Sequence, residues 1–315
     1  MTLKNIRLAR TASQILFFVL LAAVLVGAFC SVSLGSGAYL TCSLGMLQFV
    51  LGTQEILWGT ILSGTLLLIL TIALGRVFCG WVCPFGTLLD WVQKPLARLR
   101  IARSKLPGWL IDPDTKAVKY GILGGTLLAA GLFRSPAFCT VCPVGTVCRT
   151  AGLQGVHLGL ETAVLPLIVS METVQKRFWC KALCPIGALL GIVSRFSPFK
   201  VSLPWNSCAG CNRCEDVCAM DNSPRYEGMA KMKSDPAVLR ALIESGIPDA
   251  LDRPVRPEML PANVRSAVDA KNRRLTVDSS ECTRCFDCVT NCPVLQGNES
   301  PGTVSMPGGV TGAVR

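Results

Sequence analysis

The sequence predicts a mainly α-helical protein, a four-span transmembrane helical bundle followed by a smaller soluble α+β domain. Three observations predict it. Half of the 315 residues are hydrophobic and the mean hydropathy is +0.47, which is too apolar for an ordinary soluble domain. Four apolar runs of about 16 to 23 residues, each long enough for a bilayer core, lie before residue 172. From about Phe196 the composition turns polar and stays so to the end. The expected domains are residues 1–197 in the membrane and 198–315 outside it.

The first run, Ile15 to Leu34, follows Lys4, Arg7 and Arg10. That pattern resembles the basic start of a signal peptide. The apolar stretch is long, however, and "GAFCSVS" matches a lipoprotein cleavage box only loosely, so an uncleaved anchor is expected. The second run, Ile56 to Phe78, is the strongest. The third is Ala117 to Phe133. The fourth, Val156 to Met171, is short and contains Glu161 and Pro166. The loop 35–55 carries no Lys or Arg. The next loop holds Lys94, Arg98, Arg100, Arg103, Lys105 and Lys116, the third only Arg134 and Arg149, and Lys176, Arg177 and Lys181 follow the last run. By the positive-inside rule both termini are expected in the cytoplasm, with the chain in the inner membrane and in contact with lipid. The formal charge of +11 belongs to these flanks, so no nucleic-acid partner is expected.

Seventeen cysteines are the main chemical signal. Secreted disulfide scaffolds are short and lack apolar runs. Here the cysteines cluster at gaps of two and three residues, which suits a metal cluster held by one loop. The single histidine, His157, excludes a haem held by two histidines of this chain.

The tail is the clearest case. "CAGCNRCEDVCA" gives Cys208, Cys211, Cys214 and Cys218, and "CTRCFDCVTNCP" gives Cys282, Cys285, Cys288 and Cys292. Both fit C-x2-C-x2-C-x3-C, the bacterial ferredoxin run for [4Fe-4S] clusters, in which the fourth cysteine serves the other cluster. The expected sets are Cys208, Cys211, Cys214 and Cys292 for one cluster, and Cys282, Cys285, Cys288 and Cys218 for the other. Zinc sites usually pair two separate Cys-x2-Cys knuckles and fit less well. The tail is thus expected to be a bacterial-type two-cluster ferredoxin domain. Ala219 stands where a proline is usual, and the 63 residues from Ala219 to Glu281 form a long insertion. Its helical, charged stretch "DPAVLRALIESG" reads either as a partner-docking segment or as a solvated decoration.

"CGWVCPFG" and "CKALCPIG" place Cys79, Cys83, Cys180 and Cys184 where apolar runs end. Proline stops a helix and glycine permits a sharp reversal. Each motif therefore reads as a turn that presents two thiols, and the four together could hold one inner-face centre. The bland alternative is structural turns with free thiols. "YLTCSLGML" and "FCTVCPVGT" echo these turns, with Ser43 in the place of the proline in the first. They place Cys42, Cys139, Cys142 and Cys148 on the outer side, with Cys30 nearby. There a further cluster and disulfides are both open readings. His157 and Glu161 share a helix face. They read as proton or quinone candidates, or as polar groups that satisfy each other or Arg149.

The paired Cys-Pro turns, the four runs and the two-cluster tail resemble the NapH/MauN family of membrane polyferredoxins, over about residues 10 to 295. They are also similar to the C-terminal half of NosR. The resemblance implies a membrane iron–sulfur protein, a quinol dehydrogenase-like component that passes electrons between the quinone pool, cytoplasmic clusters and other redox subunits. It implies two [4Fe-4S] clusters, with one or two additional iron–sulfur centres at the other cysteines. The chain has no room for a NosR-type flavin domain, and "FCTVCPVGTVC" departs from the ordinary family pattern. No nucleophile with a base, Walker loop or dinucleotide fingerprint is present, so an electron carrier or a quinol dehydrogenase subunit is expected and other catalysis is not. The alternative is an assembly or maturation factor that delivers electrons or metal to a partner metalloenzyme.

Overall fold

The computed structural model describes residues 3–24, 32–33, 39–40, 42–53, 58–96, 115–134, 138, 142–143, 160–171, 176–205, 208, 211–224, 229, 233–246, 260–271, 274–277, 280–297, 302–305 and 311–314. The chain forms two compact units. One is Thr11–Phe196, and the other joins Met1–Arg10 to Ser197–Arg315.

Helix α1 is Leu3–Val24. A short antiparallel pair, β1 (Val32–Ser33) and β2 (Tyr39–Leu40), follows it. Then come α2 (Ser43–Thr53), α3 (Trp58–Leu74), α4 (Val77–Trp81), α5 (Pro84–Leu96), α6 (Thr115–Phe133) and α7 (Leu160–Met171). A single wide π turn, Trp179–Leu183, leads into α8, Pro185–Ser194. Helix α6 packs against α2, α8 and the π turn, and α3 packs against α2 and α8. Two small apolar cores result. Phe85 and Leu89 of α5 meet Ile168 of α7. Leu44 of α2 and Leu123 of α6 meet Ala188 of α8.

The expected four-span bundle is not what forms. Among the described residues no helix is long and apolar enough to cross a membrane. The reasons are local. Helix α3 has 17 residues, a rise of about 26 Å against a hydrocarbon core of about 30 Å. It ends because Gly75 adopts φ 73° and donates its N–H to Thr71 O at 2.7 Å, a left-handed helix stop that glycine takes without steric penalty. The apolar sequence continues to Phe78, but as the separate helix α4. Helix α7 has 12 residues with Pro166 inside. Helices α1 and α6 have 22 and 19 residues, and their N-terminal halves carry Lys4, Arg7 and Arg10, and Lys116 and Lys119.

The second unit is built on β3 (Ser202–Pro204), α9 (Arg213–Asp216), α10 (Pro236–Glu244), α11 (Ala262–Lys271), β4 (Arg274–Thr276), α12 (Asp287–Thr290) and α13 (Pro293–Gly297). A hairpin of β5 (Gly302–Ser305) and β6 (Thr311–Val314) follows. Strands β3 and β4 pair antiparallel, with Leu203 opposite Leu275. Where it is described, the long insertion contributes to the core. Asp235 caps α10 by accepting from Ala237 N at 3.0 Å, with Pro236 at the first helical position, a favoured start. Val238 and Leu242 of α10 and Val264 and Val268 of α11 then join Trp205, Leu275 and Val277 in the core. The partly buried Cys208, Cys214, Cys282 and Cys288 pack against that core. The insertion therefore helps to hold the cysteine loops.

Arg7 and Arg10, expected as topology signals, make specific contacts in this unit. Arg7 Nη2 donates to Asn291 Oδ1 at 2.9 Å, and Arg10 Nη1 to Asp287 Oδ2 at 2.6 Å.

Candidate metal centres

In the tail the two cysteine runs fold alike. Asn212 follows Cys211 and has φ 54°, and Phe286 follows Cys285 and has φ 61°. Both caps receive the N–H of the residue three further on, Glu215 N to Asn212 O at 2.8 Å and Val289 N to Phe286 O at 3.0 Å. One left-handed residue followed by a single helical turn folds each run back on itself at its second cysteine. The same turn sends the fourth cysteine away, with Cys218 N bonded to Glu215 O and Cys292 N to Val289 O. The thiols of one run also meet those of the other. Burial pushes the Cys288 thiol well above its ordinary pKa, and the nearby Cys285, Cys282, Cys218 and Cys214 raise it further. Cys218, from the first run, thus lies beside the second.

Backbone donors point at the sulfurs. Asn222 N donates to Cys218 Sγ at 3.3 Å and Arg284 N to Cys282 Sγ at 3.4 Å. Such N–H···S bonds stabilise thiolate charge and tune a metal centre. Arg284 is buried. Its Nη1 donates to Ser197 Oγ at 3.1 Å, and its guanidinium lies 5.3 Å from the Phe199 ring centroid.

In the other unit the two Cys-Pro turns are copies offset by 101 positions. Cys83 N bonds Phe78 O and Cys184 N bonds Trp179 O, both at 2.9 Å. This i→i−5 closure is wider than an α turn and is frequent at functional sites. It keeps Cys79 with Cys83, and Cys180 with Cys184, on one side of the chain. Each second cysteine caps the helix that follows. Thr87 N reaches Cys83 O at 3.0 Å and Ala188 N reaches Cys184 O at 3.1 Å, and Gly187 N donates to Cys184 Sγ at 3.3 Å. Gly86 gives Cys83 a similar bond. Both glycines sit at a close approach. A Cβ on Gly86 would sit 2.9 Å from Cys79 O, and one on Gly187 would sit 3.0 Å from Arg76 Nη2.

The turns come together. Burial raises the Cys83 thiol well above its ordinary pKa, and Cys79, Cys180 and Cys184 add to the rise. Burial likewise pushes Cys184 up to about 12, with Cys79 and Cys142 raising it and Arg76 opposing them. Cys142, expected with the outer group, therefore lies near the thiols expected at the inner face. Cys42 repeats the cap without a proline: its Sγ accepts from Gly45 N at 3.3 Å and its O from Met46 N at 2.9 Å. Neither Cys42 nor Cys142 forms a disulfide. Cys30, Cys139, Cys148 and His157 lie outside the described residues. Glu161 falls in the first turn of α7.

Sequence reading gave Arg177 only as a flanking charge and did not single out Arg76. Arg76 and Arg177 each stand three residues before the first cysteine of a turn, and each is 1% exposed. The available signal was their identical position in the two copies.

Clustered, mutually repelling thiols fit a group that supplies compensating positive charge. Among the described residues no three His, Cys, Asp or Glu side chains stand close enough to hold one metal ion. A mononuclear zinc site would need thiolates at about 2.3 Å from a single ion. A cubane is held through four separate irons, so its thiolates stand farther apart, and the donor set fits the cluster better.

Family comparisons agree with this donor set. The model described as a 4Fe-4S binding domain matches residues 56–103, 120–161 and 162–204, and a 4Fe-4S dicluster domain matches residues 207–295. An uncharacterized protein of Methanocaldococcus jannaschii is 31% identical over 223 residues, 69% of this chain and 76% of that protein. The methylamine utilization ferredoxin-type protein MauN of Paracoccus denitrificans is 33% identical over 145 residues, 46% of this chain and 48% of its own length. YccM of Escherichia coli, provisionally named an electron transport protein, is 26% identical over 231 residues, 72% of this chain and 51% of its own length. The chain thus spans about half the length of MauN and YccM. No solved structure matches. The chain belongs to the NapH/MauN-type family of 4Fe-4S ferredoxin-like proteins. It binds more than one [4Fe-4S] cluster. The first family model matches three times, and the second match covers Cys139, Cys142 and Cys148.

Proposed function

We propose that this protein carries electrons through two tail clusters and a third centre at the Cys-Pro turns. The observation that carries the reading is the nearness of Cys218 and Cys214 of the first run to Cys288 of the second, which supports the exchange of fourth cysteines between two ferredoxin runs. Cys208, Cys211, Cys214 and Cys292 would hold one cluster, and Cys282, Cys285, Cys288 and Cys218 the other. Cys79, Cys83, Cys180 and Cys184 would hold the third. When bound, such clusters supply one-electron storage without proton chemistry. The chain's own residues exclude water, point N–H donors at the sulfurs and fix the loops through the α10–α11 core. Redox partner subunits would exchange electrons with it.

We propose further that the protein works at the inner membrane, with both termini on the cytoplasmic side and with quinone as a redox partner. Leu62, Leu66 and Ile69 of α3 form an exposed apolar stripe at the i, i+4, i+7 spacing of one helix face, and lipid would cover it. The stripe lies on the helix that leads into the Cys79 turn. It favours association through an apolar face and requires no crossing helix.

Iron and sulfide counting with EPR on anaerobically purified full-length protein tests both the tail and the turns. About twelve irons per chain are expected for three cubanes and about eight for the tail alone, and a count near four would refute the two-cluster tail. Partition of the protein to washed membranes, and reduction of its EPR signals by a quinol analogue, test the rest.

A further inference from the structure

Trp205 directly follows β3 and is wholly buried, at 0% exposure. Its carbonyl accepts the Cys208 N–H at 2.9 Å, which ties it to the first cysteine of the first run. Its indole Nε1 is buried and has no hydrogen-bond partner among the described residues, thiol sulfurs included. An indole nitrogen only donates. A buried tryptophan usually finds a partner for it, and leaving it without one costs stability. The core around Trp205 cannot serve it. Val238, Leu242, Val264, Val268 and Leu275 are aliphatic and have no acceptor in their side chains. A phenylalanine would fill such a place without the penalty. The same core also carries the cysteine loops, with Cys208 and Cys214 packed against it. An iron–sulfur cluster in those loops brings sulfide sulfurs, which are acceptors that the thiols do not replace.

We infer that the Trp205 indole N–H donates a hydrogen bond to the cluster held by Cys208, Cys211, Cys214 and Cys292, and that this bond raises the potential of that cluster. The inference rests on reading the tail as a two-cluster site. It assigns the donor to the first cluster because Trp205 is bonded to Cys208 and shares a core with Cys214. One electron arriving from a reduced redox partner adds one negative charge, spread over the cluster sulfurs. The indole keeps its proton, and no covalent bond is made or broken. A hydrogen bond to a sulfur strengthens as that sulfur gains charge, and a site withdrawn from water weakens it little. The reduced state is therefore favoured, as hydrogen bonds to cluster sulfurs do in general. Because β3 is paired with β4, Trp205 stands on a fixed strand end, and the donor is held in place before the electron arrives.

The test uses full-length protein purified anaerobically, with iron counting and potentiometric EPR titration of wild type and Trp205→Phe, which keeps a ring and removes the N–H. The signal of the first cluster is the one that Cys211→Ser removes, and that of the second the one that Cys288→Ser removes. At a fixed potential Trp205→Phe is expected to lower the reduced-to-oxidised ratio of the first signal at least about fivefold, roughly 40 mV for a one-electron couple. The second signal should stay within about twofold of wild type on the same scale. A first signal that also stays within about twofold overturns the inference, and so does an equal shift in both signals, which a general loosening of the core would give. A second measurement needs no stable variant. Wild-type protein carrying ¹⁵N at its indole nitrogens should show a ¹⁵N coupling to the reduced first cluster in electron–nuclear double resonance. Absence of that coupling overturns the inference, and its presence supports it even if Trp205→Phe loses iron. If neither Cys211→Ser nor Cys288→Ser removes a signal, the two-cluster reading itself fails, and the inference with it.

Discussion

Asp90 and Arg177 are joined by two hydrogen bonds to one carboxylate oxygen, Nε at 3.2 Å and Nη2 at 2.5 Å. The other oxygen accepts from Gln14 Nε2 at 3.1 Å, and Gln14 also donates to Gly80 O at 3.2 Å. The pair thereby ties α1 and α5 to both cysteine turns. The Arg177 side chain is 1% exposed and that of Asp90 is 21%. Removing the carboxylate takes an ion-pair partner from a buried guanidinium, whereas removing the guanidinium leaves an acid that water can reach. Asp90→Asn is therefore expected to destabilise the protein by about 3 kcal/mol, the low end for a broken buried pair. Arg177→Gln should cost clearly less. Urea midpoints of the iron-loaded protein decide this, and equal losses would contradict it.

Cys218 is expected to behave as a member of the second loop. Cys218→Ser and Cys288→Ser should each remove the same EPR signal, and the double variant should be little worse than either single one, since residues of one site are non-additive. If Cys218→Ser instead removes the signal lost in Cys211→Ser, the crossed arrangement is wrong.

Both tail loops were legible in the sequence because four close cysteines dictate their own turn geometry. The repeat of the Cys-Pro motif was legible for the same reason. The spans were not. Hydropathy marked the apolar runs but could not weigh the stop at Gly75 or the shortness of α7, which holds Pro166, and both lie within or at the edge of runs that look continuous. Arg7 and Arg10 were read as a membrane signal because charge position alone cannot reveal Asp287 and Asn291, which lie some 280 residues away in sequence. Cys142 was placed on the outer side because the spans defined its side of the membrane, and hydropathy gave no sign that it stands near Cys184.

Gly86 is expected to tolerate no side chain. A Cβ would meet the Cys79 carbonyl oxygen at 2.9 Å, and backbone within a closed wide turn has little room to move. At Gly187 the nearest atom, at 3.0 Å, is the far end of an arginine, which can shift. Gly86→Ala should thus cost about 2 kcal/mol, as overpacking does, and should lower third-centre iron. Gly187→Ala should retain the iron and displace Arg76. Matched iron contents and urea midpoints for the two variants would count against this distinction.

Arg10 and Asp287 stand next to Cys285. Burial pushes that thiol up to about 12, Asp287 raises it further and Arg10 opposes the rise. The pair is partly exposed, with side chains at 11% and 26%, so its stability contribution should be about 1 kcal/mol or less. Its effect on the neighbouring cluster should be easier to see. Arg10→Gln removes a positive charge and should lower the potential of the second-loop cluster while leaving the first unchanged. Titration of both signals checks this, and an equal shift in both would argue for a general loosening of the unit.

Thiol protonation gives a pH dependence whose sign follows from the shifts. In metal-free protein the pKa values of Cys184 and Cys285 rise from 9.0 to about 12, and Cys83 and Cys288 also move up. The fold therefore binds these protons more tightly than the unfolded chain does. The resulting stability is fully present below pH 9.0 and is lost as pH rises toward about 12. Cluster loading runs the other way, because thiolate ligation must expel the protons. Anaerobic reconstitution at neutral pH should release protons, and its yield should improve as pH is raised toward 9. Proton release in weak buffer, measured beside the urea midpoint of metal-free protein, tests both signs. Cys184→Ser should flatten the alkaline loss of stability. A metal-free protein whose midpoint rises above pH 9 would show that these thiols are already ionised in the fold.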